Sequence, residues 1–445
     1  MGRMSARRHG AGIDAVVAAT PADRDRVVDF LRAASILAVV AGHWLIATVV
    51  RDGDDLRGAN ALAAMPWLRL LTWAFQVMPV FFLVGGFANL RSLEAGGGRD
   101  TGGFLAGRAE RLLRPTVLFA VVWLVAGPLL VEVWGEPRLA ADVARIAAQP
   151  LWFLAVYLLV VLAAPVQLRL HHRHGLATLV LLVAVVVVLD GLRLSDAAPG
   201  PAVVNYLAVF LFAQGLGFAY ADGRFAGVPS RKALAVAAGA LAVLTALTTV
   251  GPYPVSMIGL PGQRISNMSP PTLVIVVLAL AQAALLLAVH DVLARWLERP
   301  RVWRATIVAN LAVLTTFLWH LSALIIAGAV LLAVGVPVVA PGSAAWWLER
   351  PLWLGAAALA LSLLVLALSP IERRRAPTPA AGHLPRRVAG CVAAVLGLAG
   401  LALAGFAHPF EPSHHALLGV RPVPALSAAL LLAGWLSARG PTTAR

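Results

Sequence analysis

Twelve predominantly apolar runs of about 16 to 25 residues take up most of this 445-residue chain, near 27–50, 69–91, 112–133, 150–166, 176–192, 203–221, 233–250, 272–293, 305–333, 350–370, 387–407 and 422–438. Each is long enough to cross a hydrocarbon layer of about 30 Å as a helix. The runs are continuous, without the alternation of a barrel strand, and backbone groups in lipid must be satisfied within their own segment. The composition, 60% hydrophobic and 13% charged with a mean hydropathy of +0.83, carries more apolar surface than one soluble core could hide. The expected fold class is therefore all-α, a polytopic membrane helix bundle. The fourth and twelfth runs are the shortest, and the twelfth opens on Pro422 and Pro424. The longest connections, 92–111 and 371–386, are too short and too rich in Gly, Arg and Pro to make a soluble domain. Any chemistry must come from the helices and their loops.

The formal charge is +15, and every cation but Lys232 is an arginine. Their positions argue against a nucleic-acid partner. Arg24 and Arg26, Arg91 to Arg114, Arg169 and Arg173, Arg224 to Lys232, Arg295 to Arg304 and Arg373 to Arg387 all fall on one side of an alternating topology. The opposite loops hold Asp52, Asp54, Asp55, Glu132, Glu136, Asp142, Asp190 and Asp196. The positive-inside rule then places both termini in the cytoplasm of a cytoplasmic-membrane protein, with anionic lipid and nucleotide phosphate as anionic partners. Residues 1–25 read as a disordered cytoplasmic tail without a cleavable signal. The single cysteine, Cys391, excludes a disulfide framework. "GGGRDTGG" (96–103) reads as a flexible linker rather than a phosphate loop. "HHRH" (171–174) and "HPFEPSHH" (408–415) lack a spacing that fixes a metal, so no metal site and no permanently bound cofactor is expected.

Two ionisable residues interrupt the first run. Arg32 and His43 are eleven residues apart, so on a helix they lie within about 20° of each other and about 16 Å apart along the axis. Charged groups in hydrocarbon are expensive, and a shared face makes the pair two stations on one polar path. Arg32 is shallow enough to snorkel to headgroups. His43 is not, and either bonds a neighbouring helix or moves a proton.

The stretch "LRAASILAVVAGH" (31–43) resembles the signature of the acyltransferase-3 family of membrane acyltransferases, and four further stretches agree in order. They are "MPVFFLVGGFANLRS" (78–92), "RAERLLRP" (108–115), "LWFLAVYLL" (151–159) and "TTFLWHLSAL" (315–324). The resemblance covers about residues 25–370 and is closest to the stand-alone actinobacterial type. It implies a ten-span core over 26–370, a basic linker at 371–386 and two additional spans in 387–445. One departure is Gly85, where the family usually has a serine before its Gly-Phe.

The resemblance implies transfer of a short acyl group from acyl-CoA, acetyl-CoA first among them, to a hydroxyl of a sugar, lipid or secondary metabolite. The acceptor hydroxyl needs a base, for which His43 is the first choice. His320 would orient substrate, stabilise the thioester oxyanion or share that role. Ser35 and Ser322 show no sign of activation, so direct transfer is the simpler course. Arg108, Arg111 and Arg114, spaced i, i+3, i+6, suit the phosphates of the donor, with Arg32, deeper, at its pantetheine end or its nearest phosphate. In the Pro- and Gly-rich loop 251–271, Gln263, Arg264, Asn267 and Ser269 are candidates for holding the acceptor. Asn205 and Asn310 are read as helix-packing groups. The competing class is a proton-coupled secondary transporter, which an intramembrane histidine would also suit. Against it stands the lack of any internal repeat. Neither the acyl group nor the oligomeric state follows from the sequence.

Overall fold

Asp25 starts the first long helix by accepting the Val28 N–H at 3.0 Å, and Asp29 adds a negative charge in the first turn. This helix, α1, runs Arg26–Ile46. The structure, a computed structural model, describes residues 17, 20–21, 24–95, 100–195, 197, 200–260, 262–373, 383–416 and 419–440. Most of the tail expected at 1–25 lies outside the described residues. Of those described, Thr20 accepts from Trp303 and Asp25 from Tyr220, so the chain is docked before α1 begins.

The β-branched run Thr48-Val49-Val50, expected to finish the first span, instead leaves the helix as a strand. Ala47–Asp52 (β1) pairs antiparallel with Asp55–Asn60 (β2), from Ala47 opposite Asn60 to Asp52 opposite Asp55. Short turns over Ala61–Ala64, Pro66–Leu71 and Thr72–Phe75 lead to α2, Met78–Ala95. The second apolar run is thus broken near Gln76. There follow α3 (Thr101–Val133), α4 (Pro137–Ala147), α5 (Pro150–His174), α6 (Ala177–Leu194), α7 (Asn205–Ala221) and α8 (Ser230–Thr249). The chain ends with α9 (Leu273–Leu297), α10 (Pro300–Asn310), α11 (Val313–Ala333), α12 (Ala344–Arg373), α13 (Leu384–Ala404) and α14 (Pro424–Arg439).

Among the described residues eleven of these helices are long and apolar enough to cross a membrane, one fewer than the twelve runs. The twelfth run forms α14, but at 16 residues it spans only about 24 Å. It lies antiparallel to α13, with Gly390 against Gly434 and Gly397 against Leu431. The ninth run is also not one helix: it breaks at Leu311 and Ala312 into α10 and α11. Of the 96–103 linker, residues 96–99 lie outside the described residues, and Thr101–Gly103 form the first turn of α3, capped by Asp100. In the 371–386 linker, residues 374–382 are likewise outside.

The helices alternate so that Arg26, Arg91, Arg173, Arg224, Lys232, Arg295, Arg373 and Arg387 collect at one end of the bundle, the basic end. The β1–β2 pair, α4 and the 251–271 loop form the other, the hairpin end. There Asp142 on α4 accepts from Arg57 and the Gly58 N–H of β2, tying the strands down. Burial and then the Asp190 carboxylate push the Tyr253 phenol of the loop up, so it stays a donor to Asp190 at 2.9 Å.

Between α2 and α7 the backbones touch. A Cβ added at Gly86 would lie 2.2 Å from the Gln214 carbonyl oxygen, and one at Gly217 would lie 2.0 Å from that of Leu83. Beside this contact Asn89 donates to Gln214, Gln214 to Gln167, and Gln167 to the Leu211 carbonyl, a buried amide ladder across three helices. Gly86→Val should therefore cost about 1–3 kcal/mol or more, read as a lower thermal unfolding midpoint in detergent. Gly239→Val on α8, where an added Cβ meets nothing within 4 Å, should leave the midpoint unchanged.

The α13–α14 pair is built into the bundle. Phe406 is fully buried between Phe119 and Trp123 of α3. At the basic end Trp435 donates to Glu110 at 2.7 Å.

Candidate active site

His43 lies in the last turn of α1, and its Nδ1 is 2.7 Å from Nε2 of His320 on α11. The His320 Nδ1 is in turn 2.5 Å from the Phe317 carbonyl oxygen. A carbonyl only accepts, so His320 carries its proton on Nδ1, and in a neutral ring its Nε2 holds a lone pair. His43 must then donate from Nδ1. Its Nε2 is left as the unprotonated nitrogen of the pair. His320 is fully buried, whereas His43 keeps some exposure, so of the two His43 is the one that another molecule can reach.

The surroundings hold this arrangement still. Trp44 donates to the His320 carbonyl at 2.9 Å, and Trp123 donates to Ser322 at 3.0 Å. Phe317 packs edge-on against Phe153 of the "LWFLAVYLL" stretch. Glu372 at the end of α12 accepts the Leu314 and Thr315 N–H groups and the Thr315 hydroxyl, so the helix carrying His320 starts from a fixed point. Ser322 is thereby occupied by Trp123, and Ser35 is buried at a distance of two helical turns from His43.

Toward the basic end, Arg32 does not snorkel. Its Nε donates to Asn310 Oδ1 at 2.6 Å and its Nη2 to Asp29 Oδ1 at 2.8 Å, while Nη1 takes part in neither bond. Asn310 is the last residue of α10, where the chain breaks before α11, and it donates back to the Asp29 carbonyl. The break thus serves Arg32 on one side and His320 on the other. Arg108 and the Tyr157 phenol lie within electrostatic reach of Arg32. Arg108 donates from Nη2 to the Ala88 carbonyl and stacks over Phe104, and its Nε is buried without a hydrogen-bond partner. A buried N–H of that kind is costly unless an anion or other acceptor meets it.

The three arginines of the third span do not converge. Arg108 joins Arg32; Arg111 is exposed and folds back on the Gly107 carbonyl; Arg114 pairs with Glu110 and donates to the Ile371 carbonyl. A spacing of i, i+3, i+6 sweeps about 120° of helix surface, which is enough to point the outer two apart. At Gly85 an added Cβ would lie 3.2 Å from the Tyr157 ring, so Tyr157 fills the room that the family's usual serine would need.

The loop candidates for the acceptor fare unevenly. Asn267 is fully buried and spent within its own loop, donating to the Pro254 and Ser256 carbonyls and accepting from Thr272. Ser269 is bonded to Tyr206, and its carbonyl accepts from Arg193. Arg264 is exposed at the rim, and Gln263 has a buried Oε1 without a partner. Asn205, expected only to pack, donates to Asp190.

Sequence reading missed Asp29 and Glu372 and took Tyr157 for a residue of the interfacial aromatic belt. Among the described residues, one set of histidines and carboxylates is close enough to share an ion: Glu94, His172 and Asp222 at the basic end. "HHRH" alone did not disclose it, since Glu94 and Asp222 come from other helices. As they stand, Asp222 pairs with His171 at 2.7 Å and with Arg224 at 3.7 Å, and Glu94 with His172 at 3.8 Å.

A family model for an acyltransferase domain matches residues 25–369. No curated protein and no solved structure matches the chain. The matched stretch runs from the cap of α1 to the last turns of α12, so it contains both histidines and both arginines of the site and stops short of the α13–α14 pair.

Proposed function

The chain belongs to the acyltransferase-3 family, and on that footing we propose that it moves a short acyl group from acyl-CoA to a hydroxyl of a sugar, glycolipid or secondary metabolite. The observation that carries this reading is the hydrogen-bonded order from Phe317 through His320 to His43, which leaves His43 Nε2 with a lone pair inside a membrane bundle.

The donor enters from the basic end, which faces the cytoplasm. Its phosphates meet Arg108, whose Nε lacks a partner, and the free edge of Arg32. From Arg32 to His43 is about 16 Å along α1, a span suited to the extended pantetheine arm. The thioester then lies beside His43. The acceptor hydroxyl gives its proton to His43 Nε2 while its oxygen attacks the thioester carbonyl. As the imidazolium forms, its Nδ1–H strengthens its bond to the His320 lone pair, which spreads the new charge. The tetrahedral intermediate collapses by breaking the C–S bond, and the leaving thiolate takes the proton back from His43. The products are an ester and free CoA, and His43 returns to its starting tautomer.

The test is thiol release from acetyl-CoA by the purified full chain in lipid nanodiscs, with and without lipid and sugar extracts of a bacterial cell envelope. Release that depends on the extract, with mass-labelled acetyl found in an ester, supports the proposal. No release with acetyl-, propionyl- or butyryl-CoA in any extract refutes it.

A further inference from the structure

A buried arginine at the hairpin end has no counter-ion. Arg350, in the second turn of α12, is 6% exposed. Its guanidinium lies over the Trp346 ring, 3.8 Å from the centroid, and its Nη1 donates to the Ala47 carbonyl at 3.1 Å. Neither contact neutralises it. Among the described residues no carboxylate lies within ion-pair distance of Arg350, and its Nε and Nη2 donate to nothing. A cation held this far from water is costly unless an anion meets it. A tether for the end of α1 would need only an uncharged N–H, so the Ala47 bond does not account for the charge.

The same residue lines an open cleft with Glu349, Trp353, Thr48 of β1 and the 337–339 connection. The Thr48 hydroxyl is spent, accepting from Trp346 at 3.1 Å and donating to the Val49 carbonyl. Glu349 makes no hydrogen bond or ion pair among the described residues. It and Arg350 are neighbours of opposite charge, yet about 100° apart on the helix, and they do not pair. The cleft therefore offers one unspent cation and one unspent anion side by side. Beside it Leu348 and Leu352 on α12 and Val334 after α11 are exposed, an apolar surface suited to acyl chains. Arg350 is about 9 Å along α12 from its first residue, the depth at which headgroups meet chains.

We infer that this cleft binds the headgroup of a membrane phospholipid that carries a primary ammonium, its phosphate on Arg350 and its ammonium on Glu349. The Nε and Nη2 edge of a guanidinium presents two N–H groups in one plane to two phosphate oxygens, and an ammonium donates to a carboxylate. A ligand of one sign would satisfy one side chain and meet repulsion from the other. A phosphoethanolamine headgroup satisfies both, with its acyl chains along Leu348 and Leu352. The site also touches the end of α1, because Arg350 holds the Ala47 carbonyl and the Ala47 N–H donates to the His43 carbonyl. Arg350 is a binding residue here and takes no part in acyl transfer, so the inference stands apart from the acyltransferase reading.

The test uses the purified full chain, stripped of lipid in detergent, and reads lipid bound per chain by native mass spectrometry together with the thermal unfolding midpoint. The wild type is expected to hold one dioleoylphosphatidylethanolamine and to bind it about tenfold or more tightly than Arg350→Gln does. Dioleoylphosphatidylcholine, whose quaternary ammonium cannot donate, should bind the wild type about fivefold more weakly. Glu349→Met should erase that difference. Val338→Trp, which fills the cleft and leaves both charges, should lose the lipid while its midpoint without lipid stays at the wild-type value. The inference is overturned if Arg350→Gln or Val338→Trp binds the ethanolamine lipid as the wild type does, or if dioleoylglycerol, with the chains and no phosphate, binds as tightly. It is also overturned if the two phospholipids bind the wild type equally. A midpoint raised as far by inorganic phosphate as by the lipid assigns the site to a free anion, and the lipid reading falls.

Discussion

His43→Ala is expected to lower the turnover of acetyl transfer about 10²–10⁴-fold, with KM for acetyl-CoA and the unfolding midpoint close to wild type. The size follows from what is removed, a positioned lone pair that takes a proton in the step where the acceptor oxygen attacks. In the proposed mechanism KM is spared, because there the phosphates are assigned to Arg32 and Arg108, which lie far from His43 along the bundle. A smaller loss is expected at His320, and its pattern distinguishes positioning from packing. His320→Gln offers an amide oxygen that can accept from His43 Nδ1–H and so keep the lone pair on Nε2. His320→Leu offers nothing, and the His43 ring is then free to place its proton on either nitrogen. The Gln variant should be the more active of the two. Equal activity would mean that the 2.7 Å contact between the rings does not govern the reaction.

Much of the bundle was legible because apolar length is a strong signal, and eleven of the twelve runs became helices of spanning length. The errors have physical causes. Leu311 and Ala312 are good helix formers inside an apolar run, so nothing local marks the break between α10 and α11. It is imposed by Asn310 bonding to α1 and by Glu372 capping α11. Val49 and Val50 are as apolar as a span, and with Thr48 they are better suited to a strand, a difference that hydropathy does not show. Of the site, Arg32, His43 and His320 stood out as ionisable groups in apolar runs. Their partners did not. Asp29 was not singled out, Asn310 was read as packing, and the His43–His320 bond joins residues 277 apart. Asn267 misled for the opposite reason, because a polar residue in a Pro-rich loop looks available until its three bonds within that loop are seen.

The second large effect is expected at Arg32. Its guanidinium makes charged bonds to Asp29 and Asn310, and removing a partner in such a bond costs about 1.5–3 kcal/mol. Arg32→Ala is therefore expected to do two things at once: lower the unfolding midpoint, because Asp29 is 7% exposed and keeps only its bond from Arg24, and raise KM for acyl-CoA about 10- to 100-fold. The double variant Asp29→Asn/Arg32→Ala separates them, since it removes the stranded carboxylate and should recover the midpoint. If Arg32 serves only to neutralise Asp29, activity recovers with it. If Arg32 also holds the donor, KM stays high while the fold is restored, and it rises less with added salt than in the wild type, because one of the charges that salt screens is already gone. Arg32→Lys should not restore KM either. A lysine ammonium is a point charge that cannot reach Asp29 and Asn310 in the plane of a guanidinium and still present a free edge to a phosphate.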